Sequence, residues 1–321
     1  MRKIVQAVWV AVALAAVGAP ATAMAKASKE GIVAISSGVT IAYQDMGPKT
    51  GRPIILVAGT GMQMVEWPQA LLKGLTAQGR RVIIFDNRDA GRSTSYPQAG
   101  LPDFGALFMA KASGSKLPLP YTGEDMAQDV TALMTALKIK KADILGMSGG
   151  ATLAELAAVK SPDRVSSLVL VMSNSGNPAL PVPADPKRMA TAQVPGGDAL
   201  ANRIALGKAL AGKDANYDAL ETEAFAKAAL ARNNDPLGGI RQGAALLALG
   251  DLRGEIVRIK APTYVIHGVD DPLVPLAAGE EVAKTVPGAK WQAVEGMGHN
   301  LTAGGVRAVL RAISEVAPVT R

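Results

Sequence analysis

The sequence contains no cysteine and only two histidines among its 321 residues. The lack of cysteine excludes disulfides, thiolate metal ligands, a cysteine nucleophile and a lipid anchor on cysteine, and it is compatible with any redox compartment. Two histidines leave little material for an imidazole metal site, and no group of His, Asp and Glu has the spacing of metal ligands. We therefore expect an activity that needs neither a metal nor another cofactor.

Aromatic residues and dense basic runs are also scarce. Aromatics make up 4% of the chain, and the 34 Lys and Arg residues behind its formal net charge of +7 are spread along the sequence. Nucleic-acid-binding proteins concentrate basic side chains on one surface and add aromatic rings for stacking. The composition therefore argues against a nucleic-acid partner. Hydrophobic residues, at 49%, are sufficient for the core of one large α/β domain.

The N-terminal residues have the features of an export signal. Arg2 and Lys3 precede an apolar run over residues 4–17, and small residues follow at 21–25. This order is typical of a Sec-type signal peptide, which we predict at residues 1–25, with a periplasmic or secreted mature protein. An uncleaved anchor is the alternative, but the run is shorter than the ~20 residues of a membrane span. No stable membrane insertion is expected after cleavage.

The rest of the chain begins as a hairpin and continues as alternating strands and helices. The apolar runs between residues 53 and 268 are continuous, as in strands that are buried on both faces. This alternation predicts an α/β fold with a doubly wound, mostly parallel sheet. The predicted strands are residues 31–35, 39–45, 53–58, 81–86, 142–147, 165–172, 262–268 and 290–295, and the predicted helices are 67–78, 123–137, 149–160, 276–285 and 306–316.

The alternation stops at residues 174–249, which are rich in Ala, Pro, Gly and charge and contain helical segments but no convincing strand. Because one sheet needs the strands on both sides, we predict a helical cap at 174–249, inserted into a core of residues 26–173 and 250–321. A second irregular stretch, residues 96–120, contains four prolines and is too long for an ordinary connection. Its length predicts that it lines a pocket.

Residues 146–150 read Gly-Met-Ser-Gly-Gly, a G-x-S-x-G sequence directly after a predicted buried strand and at the start of a predicted helix. This context is typical of a nucleophile elbow, a tight turn that presents a serine hydroxyl above the sheet. Glycines beside the serine remove side chains that would clash in such a turn. Ser148 is therefore the candidate nucleophile, and the N–H of Gly149 is a candidate oxyanion donor.

The scarcity of histidine narrows the choice of general base, which a serine hydroxyl needs near neutral pH. His299 follows the last predicted strand, at the edge where ligands meet parallel sheets. His267 lies inside the apolar run YVIHG, which favours a buried structural role. Asp270 and Asp271 follow the strand that ends at Gly268, and either carboxylate could orient His299.

Together these motifs resemble the α/β-hydrolase family, and the similarity extends over nearly all of the chain from residue 31. The sequences GTGMQM at 59–64, Trp-Pro at 67–68 and FDNRDAGRS at 85–93 more closely resemble the esterase-like branch related to aclacinomycin methylesterase. The resemblance implies an α/β-hydrolase fold and a Ser-Asp-His order of catalytic residues.

The resemblance also implies roles for single residues. The family acid lies four residues after the histidine of an H-G-x-x-D-x-x-x-P loop, which corresponds to Asp271, with Asp270 as the less favoured neighbour. The second oxyanion N–H of the family corresponds to Thr60, with Gly61 as the alternative. We also expect Gly59, Gly61, Met62 and Met147 to contact a substrate. Four methionines, Met62, Met64, Met109 and Met147, could line an apolar pocket because methionine adapts to irregular ligands, but methionine is as often a residue that simply fills the core.

Two positions depart from the family pattern. Ala58 stands where the family often has histidine before the oxyanion glycine, so a hydrogen bond within that loop is lost. Gly149 stands where a bulky methionine or glutamine is common, which predicts a wider and looser space beside the oxyanion. Elsewhere we expect the charged turn of Asp86, Arg88, Asp89 and Arg92 to be structural, and Glu155 to be a surface or helix-packing residue.

The predicted reaction is hydrolysis of a small-molecule carboxylic ester through an acyl-enzyme on Ser148. Lactone hydrolysis, carbon–carbon bond hydrolysis and cofactor-free perhydrolysis use the same three residues and are the alternatives within enzymes. A ligand-binding protein that keeps the three residues without turnover is the alternative from another class. The substrate itself depends on the predicted cap and is not specified by any motif.

Overall fold

The computed structural model describes residues 30–319 apart from residues 37, 181, 214–217 and 234. The predicted signal peptide, residues 1–25, lies outside the described residues. None of the helices in the described ranges combines the length and the apolar character that a membrane span needs.

In the described part of the chain one eight-stranded sheet forms the centre of the molecule, in the order β1-β2-β4-β3-β5-β6-β7-β8. The first two strands run antiparallel to their neighbours, and all pairings from β4 through β3 to β8 are parallel. The doubly wound, mostly parallel sheet is thus confirmed. Its strands are β1 (Gly31–Ser36), β2 (Val39–Met46), β3 (Pro53–Val57), β4 (Arg81–Phe85), β5 (Ala142–Met147), β6 (Val165–Val171), β7 (Thr263–Gly268) and β8 (Lys290–Val294).

Helices cover both faces of the sheet and bury one hydrophobic cluster on each side. One face is covered by α3 (Gly123–Ala136), α4 (Gly149–Lys160), α9 (Arg253–Ile256) and α10 (Leu276–Thr285). The opposite face is covered by α1 (Gln69–Ala77) and α11 (Ala303–Val316). Covering on both faces explains why the inner strands are apolar throughout rather than alternating.

The block between β6 and β7 contains helices and no strand in its described residues. We call residues 174–249 the middle block; whether it is a separate cap with these boundaries stays a prediction. Its helices are α5 (Pro186–Met189), α6 (Ala199–Leu210), α7 (Ala219–Arg232) and α8 (Gly238–Leu249).

The stretch 96–120 also contains a helix, α2 (Phe104–Ser113), which begins at the capping residue Asp103. The prolines at its borders concealed the helix from the sequence analysis. The stretch lines a shallow cavity of its own with Arg241, and it takes no part in the larger cavity described below.

Candidate active site

Ser148 occupies a tight turn between β5 and α4. Its backbone has a φ of +54°, which side-chain-bearing residues rarely adopt, and its N–H donates to Val171 O at 2.8 Å. A Cβ at Gly146 or Gly150 would overlap backbone atoms of the turn and of β3. The glycines beside the serine are therefore required by close packing, and the turn has the geometry of the predicted elbow.

His299 and Asp271 approach Ser148 from the loops after β8 and β7. His299 Nε2 lies 2.8 Å from Ser148 Oγ, and His299 Nδ1 lies 2.7 Å from Asp271 Oδ2. Since a carboxylate only accepts, Nδ1 carries the proton, which leaves Nε2 free to accept from the serine hydroxyl. The three predicted residues are thus brought into one hydrogen-bonded chain. The N–H of His299 also donates to Leu210 O of the middle block at 2.7 Å.

Asp271 is buried, and Asp270 takes no part in the hydrogen bonds that join Ser148, His299 and Asp271. The backbone N–H groups of Leu273 and Val274 both donate to Asp271 Oδ1 at 2.9 Å. Burial alone would raise the pKa of Asp271, but the facing imidazole of His299 and the hydrogen bonds from both histidines hold it well below its ordinary value. Asp270 instead forms an ion pair with Lys213 at 3.0 Å. The geometry therefore selects Asp271.

His267 is fully buried, as expected of a structural histidine. Its Nε2 lies 3.0 Å from Val274 O, and a carbonyl oxygen only accepts, so this nitrogen carries the proton. The same nitrogen lies 3.3 Å from Asp271 Oδ2. Both histidines of the protein therefore contact the carboxylate of Asp271. The sequence analysis did not predict the contact with His267.

The loop after β3, residues 58–62, borders the serine, and we call it the β3 loop. A Cβ at Gly59 would lie 3.3 Å from Ser148 Cβ, so the loop passes directly beside the elbow. The N–H of Thr60 has no acceptor among the described residues, whereas the N–H of Gly61 donates to Gln242 Oε1 at 2.8 Å. Of the two predicted oxyanion donors in this loop, only Thr60 keeps a free N–H.

The space beside Gly149 is filled rather than open. A Cβ on Gly149 would overlap both Thr60 Oγ1 and Leu246 Cδ1. The expectation of a wider, looser site is therefore wrong, because the side chains of the β3 loop and of α8 occupy the volume that a larger residue would take. Gly149 is the first residue of α4, so its N–H has no acceptor within the helix.

A cavity of about 860 Å³ opens above Ser148 and His299. All four predicted contact residues line it, namely Gly59, Gly61, Met62 and Met147. Met64 is instead buried in the core, and Met109 is exposed on α2. The apolar side chains that line the cavity include Leu206, Leu210, Leu220 and Phe225 of the middle block, Leu273 of the loop after β7, Leu301 beside His299 and Val306 of α11.

A family model for the α/β-hydrolase fold matches residues 52–303. The chain belongs to the α/β-hydrolase family. Among curated proteins, this hydrolase is 27% identical to rhodomycin D methylesterase DauP of Streptomyces sp. (strain C5), over 82% of the chain and 90% of the relative. It is 27% identical to a non-heme chloroperoxidase of Streptomyces lividans, over 84% and 93% of the two chains.

A crystal structure of a hydrolase from Pseudomonas aeruginosa PA01 has the same fold as this hydrolase. The TM-score is 0.69 at 24% identity, and the match covers 92% of the chain and all of the other protein (100%). The resemblance to the esterase-like branch is thereby confirmed by the curated relatives, and the fold by the solved structure.

Ion pairs join the charged turn of residues 86–92 to the middle block, as expected of a structural role. Arg241 of α8 donates twice to Asp89 at 2.8 Å, with both side chains fully buried. Arg232 of α7 pairs with Asp86 at 2.5 Å. The sequence analysis missed both arginines, since 152 and 146 residues separate the partners and no local pattern marks such pairs.

Glu155 is fully buried on α4, so the surface alternative for this residue is wrong. Its Oε1 accepts from Ser173 Oγ at 2.5 Å, and its Oε2 has no partner in the described part of the hydrolase. Burial raises the pKa of the Glu155 carboxyl to about 8. Among the described residues no three metal-ligating side chains form a group that could hold an ion.

Proposed function

We propose that this α/β hydrolase cleaves carboxylic esters through an acyl-enzyme on Ser148. The observation that carries the proposal is the continuous chain from Ser148 Oγ through His299 to Asp271, with distances of 2.8 and 2.7 Å, at the floor of the cavity. An unassisted serine hydroxyl is a weak nucleophile, and a paired imidazole is the group that activates it.

In the first half-reaction Ser148 Oγ attacks the ester carbonyl while His299 Nε2 takes the hydroxyl proton. Asp271 holds the imidazole orientation and stabilises the positive charge that forms on it. The N–H groups of Thr60 and Gly149 donate to the carbonyl oxygen as it becomes negative. His299 then gives the proton to the leaving alkoxide, which departs as the alcohol.

In the second half-reaction water replaces the alcohol. His299 Nε2 removes one proton from the water as its oxygen attacks the acyl carbon, and the same proton returns to Ser148 Oγ when the intermediate collapses. The products are a carboxylic acid and the free enzyme. Every proton is carried by His299, so no other acid or base is needed.

The cavity favours a substrate with a bulky and largely apolar part. Its volume of about 860 Å³ is that of a drug-sized ligand site, and aliphatic side chains with Phe225 form much of its wall. Similarity to a protein named rhodomycin D methylesterase supports a methyl ester, in which the alcohol part is small. Glu66 and Arg203, which pair at 3.2 Å in the cavity wall, provide the polar contacts.

The first test replaces the nucleophile. Ser148→Ala removes the attacking oxygen and leaves the fold unchanged, so turnover of p-nitrophenyl butyrate should fall by at least about 10⁴-fold while the melting temperature stays within a few degrees. A fluorophosphonate probe should label wild-type Ser148 and leave the variant unlabelled. Wild-type turnover by Ser148→Ala would refute the assignment, and an unlabelled, inactive wild type would favour a binding protein.

Perhydrolysis is the second candidate, because a named chloroperoxidase is among the relatives that align over most of the chain. In that reaction hydrogen peroxide replaces water in attacking the acyl-enzyme, and a peracid leaves instead of the acid. Peracid formation from acetate and hydrogen peroxide, measured beside ester hydrolysis, separates the two. A ratio of rates in favour of the peracid would make perhydrolysis the main activity.

We also propose that the protein is exported, on the N-terminal sequence alone. Arg2, Lys3, the apolar run at residues 4–17 and the small residues at 21–25 support a Sec-type signal. Expression of the full chain in a Gram-negative host should yield a periplasmic protein that lacks the first 25 residues by mass spectrometry. A cytosolic protein of full mass would overturn this proposal.

A further inference from the structure

Two helices of the middle block hold the β3 loop at the same residue. Gln242 Oε1 of α8 accepts from the N–H of Gly61 at 2.8 Å, and Arg203 Nη2 of α6 donates to Gly61 O at 3.4 Å. Both polar backbone groups of Gly61 are therefore bound by side chains from outside the core. The neighbouring N–H, that of Thr60, remains free beside Ser148.

The orientation of the Gln242 side chain is fixed by its two partners. Gln242 is fully buried, and its Nε2 donates to Arg88 O at 2.6 Å. An N–H on one side and a carbonyl on the other allow a single amide orientation, with Oε1 toward Gly61. Arg88 is itself held by two hydrogen bonds to Asp129, at 2.7 and 2.6 Å, so the far end of the bridge is anchored.

The backbone of α8 is pressed against the β3 loop. A Cβ on Gly239 would lie 3.0 Å from Gly61 Cα, so the backbone of α8 and the backbone of the β3 loop are in contact without intervening side chains. Arg241, adjacent to Gln242, binds Asp89 through two hydrogen bonds. These contacts fix where α8 lies, and Gln242 transmits that position to the loop.

We propose that Gln242 is a positioning residue for oxyanion stabilisation, which binds the N–H of Gly61 so that the N–H of Thr60 faces the reacting carbonyl. This proposal rests on the ester hydrolysis proposed above. Gln242 never touches the substrate; it acts through the backbone of the β3 loop. Helix α8 thereby contributes to the reaction rate although none of its residues lines the cavity.

The physical need for such a residue follows from the loop sequence. Glycines at 59 and 61 flank Thr60, Gly61 has a φ of +73°, and glycine peptides rotate with little steric resistance. Without an acceptor, the half-buried N–H of Gly61 has to find another partner, and the peptide before Thr60 moves with it. A displacement of about 1 Å at a catalytic group lowers a rate by about 100-fold.

The test uses two substitutions at position 242 with p-nitrophenyl butyrate as the probe. Gln242→Leu removes both polar ends at similar size, and we expect kcat to fall about 10- to 100-fold with KM changed by less than about twofold, because only the transition state uses the oxyanion donors. Single-turnover acylation should slow by the same factor. Rates are measured well below the melting temperature of each variant.

Gln242→Glu adds a readout that a packing role would not change. A protonated glutamate accepts from Gly61 and donates to Arg88 O as glutamine does, whereas an ionised glutamate has no proton to donate and places charge against that carbonyl. We therefore expect kcat of the variant, divided by kcat of the wild type at the same pH, to fall as pH rises. If Gln242→Leu fails to fold, this ratio decides: a flat ratio overturns the proposal.

Gln63→Leu is the matched control. Gln63 is also a buried glutamine that bridges the core and the middle block, with Nε2 donating to Ala229 O at 2.9 Å, but it does not bind the β3 loop at Gly61. A similar loss of melting temperature with kcat within about threefold of wild type is expected. Equal kcat losses in Gln63→Leu and Gln242→Leu would overturn the proposal. Failure of the reaction assignment is separate, since it appears as turnover by Ser148→Ala.

Discussion

At the scale of single residues, one carboxylate receives hydrogen bonds from two histidines and two backbone amides. Asp271 Oδ2 faces His299 and His267, and Oδ1 accepts from Leu273 and Val274. The negative charge is thereby fixed in a buried site, and the lowered pKa of Asp271 keeps its carboxylate ionised at neutral pH. Both the orientation and the charge of the acid are specified.

We predict that Asp271→Asn lowers kcat for ester hydrolysis by about 10⁴-fold. An amide cannot stabilise the imidazolium, and it favours the wrong tautomer of His299, while KM changes little. Steady-state kinetics on an aryl ester measures both values. Asp270→Asn is the control: its carboxylate pairs with the exposed Lys213, so kcat should stay within about threefold. The reverse order of effects would assign the acid to Asp270.

At the scale of elements, α4 connects the nucleophile with a buried acid two turns further on. Glu155 is fully buried on a helix whose other buried residues are mostly apolar, and among the described residues only Ser173 binds its carboxyl group. Because the pKa of Glu155 is about 8 in the folded protein, against an ordinary glutamate value of 4.5, the carboxyl is protonated there at neutral pH. Folding then binds a proton that the unfolded chain has lost.

We therefore predict that Glu155 makes a pH-dependent contribution to the free energy of unfolding, because its carboxyl keeps a proton in the folded protein. Its contribution is fully present below about pH 4.5 and is lost as pH rises toward 8, on the order of 1 kcal/mol per pH unit. Glu155→Gln removes this slope and carries only a pH-independent cost for its unpaired amide. Urea unfolding from pH 5 to 8 should show the variant gaining on the wild type. A constant difference between the two would contradict the assignment.

Elements also mark where prediction from sequence succeeds and where it stops. Strands such as β5 and β7 were predicted within a residue of their ends, because continuous apolar runs bounded by turn residues allow few alternatives. Helix α2 was missed because prolines frame it. Glu155 was misjudged as a surface candidate, although a helix that is apolar on all sides around one acid indicates burial.

The residues of the candidate site likewise include some that could be predicted from sequence and some that could not. Ser148 and His299 could be found from sequence because each follows a strand, and the carboxyl ends of parallel strands meet at one edge. The same reasoning left Asp270 and Asp271 open, and the resemblance to the family favoured Asp271. Gln242 could not be found in this way, since a single glutamine in a helix gives no sequence signal that distinguishes a buried position from an exposed one. The resemblance already favoured Thr60 over Gly61 as the second oxyanion donor, but the hydrogen bond from Gly61 N–H to Gln242, which supports that choice, is visible only in the structure.

At the scale of the whole molecule, buried ion pairs join the middle block to the core. Arg241 and Asp89 are both fully buried, and Arg232 binds Asp86 in the same region. Removing one member of such a pair leaves an unpaired buried charge, which is far more costly than losing the attraction alone. The block and the core should therefore unfold together rather than in sequence.

We predict that Arg241→Met lowers the free energy of unfolding by about 3–5 kcal/mol. The urea midpoint should fall equally by helical circular dichroism and by the fluorescence of Trp67 and Trp291 in the core. Lys284→Met, which removes the exposed pair with Glu280, is the control and should cost less than about 1 kcal/mol. A helical transition well below the fluorescence transition would mean that the middle block unfolds by itself.

The bond from His299 N–H to Leu210 O has a consequence for chimaeras of this hydrolase. It joins two main-chain groups, so any transplanted block that keeps the same chain path reproduces it whatever its side chains are. The hydrogen bond from Gly61 N–H differs, because its acceptor is the side chain of Gln242 and it therefore depends on which residue occupies position 242. We therefore expect that an exchange of residues 174–249 between relatives changes which substrate is accepted, and that only blocks with a glutamine at position 242 retain the kcat of this protein.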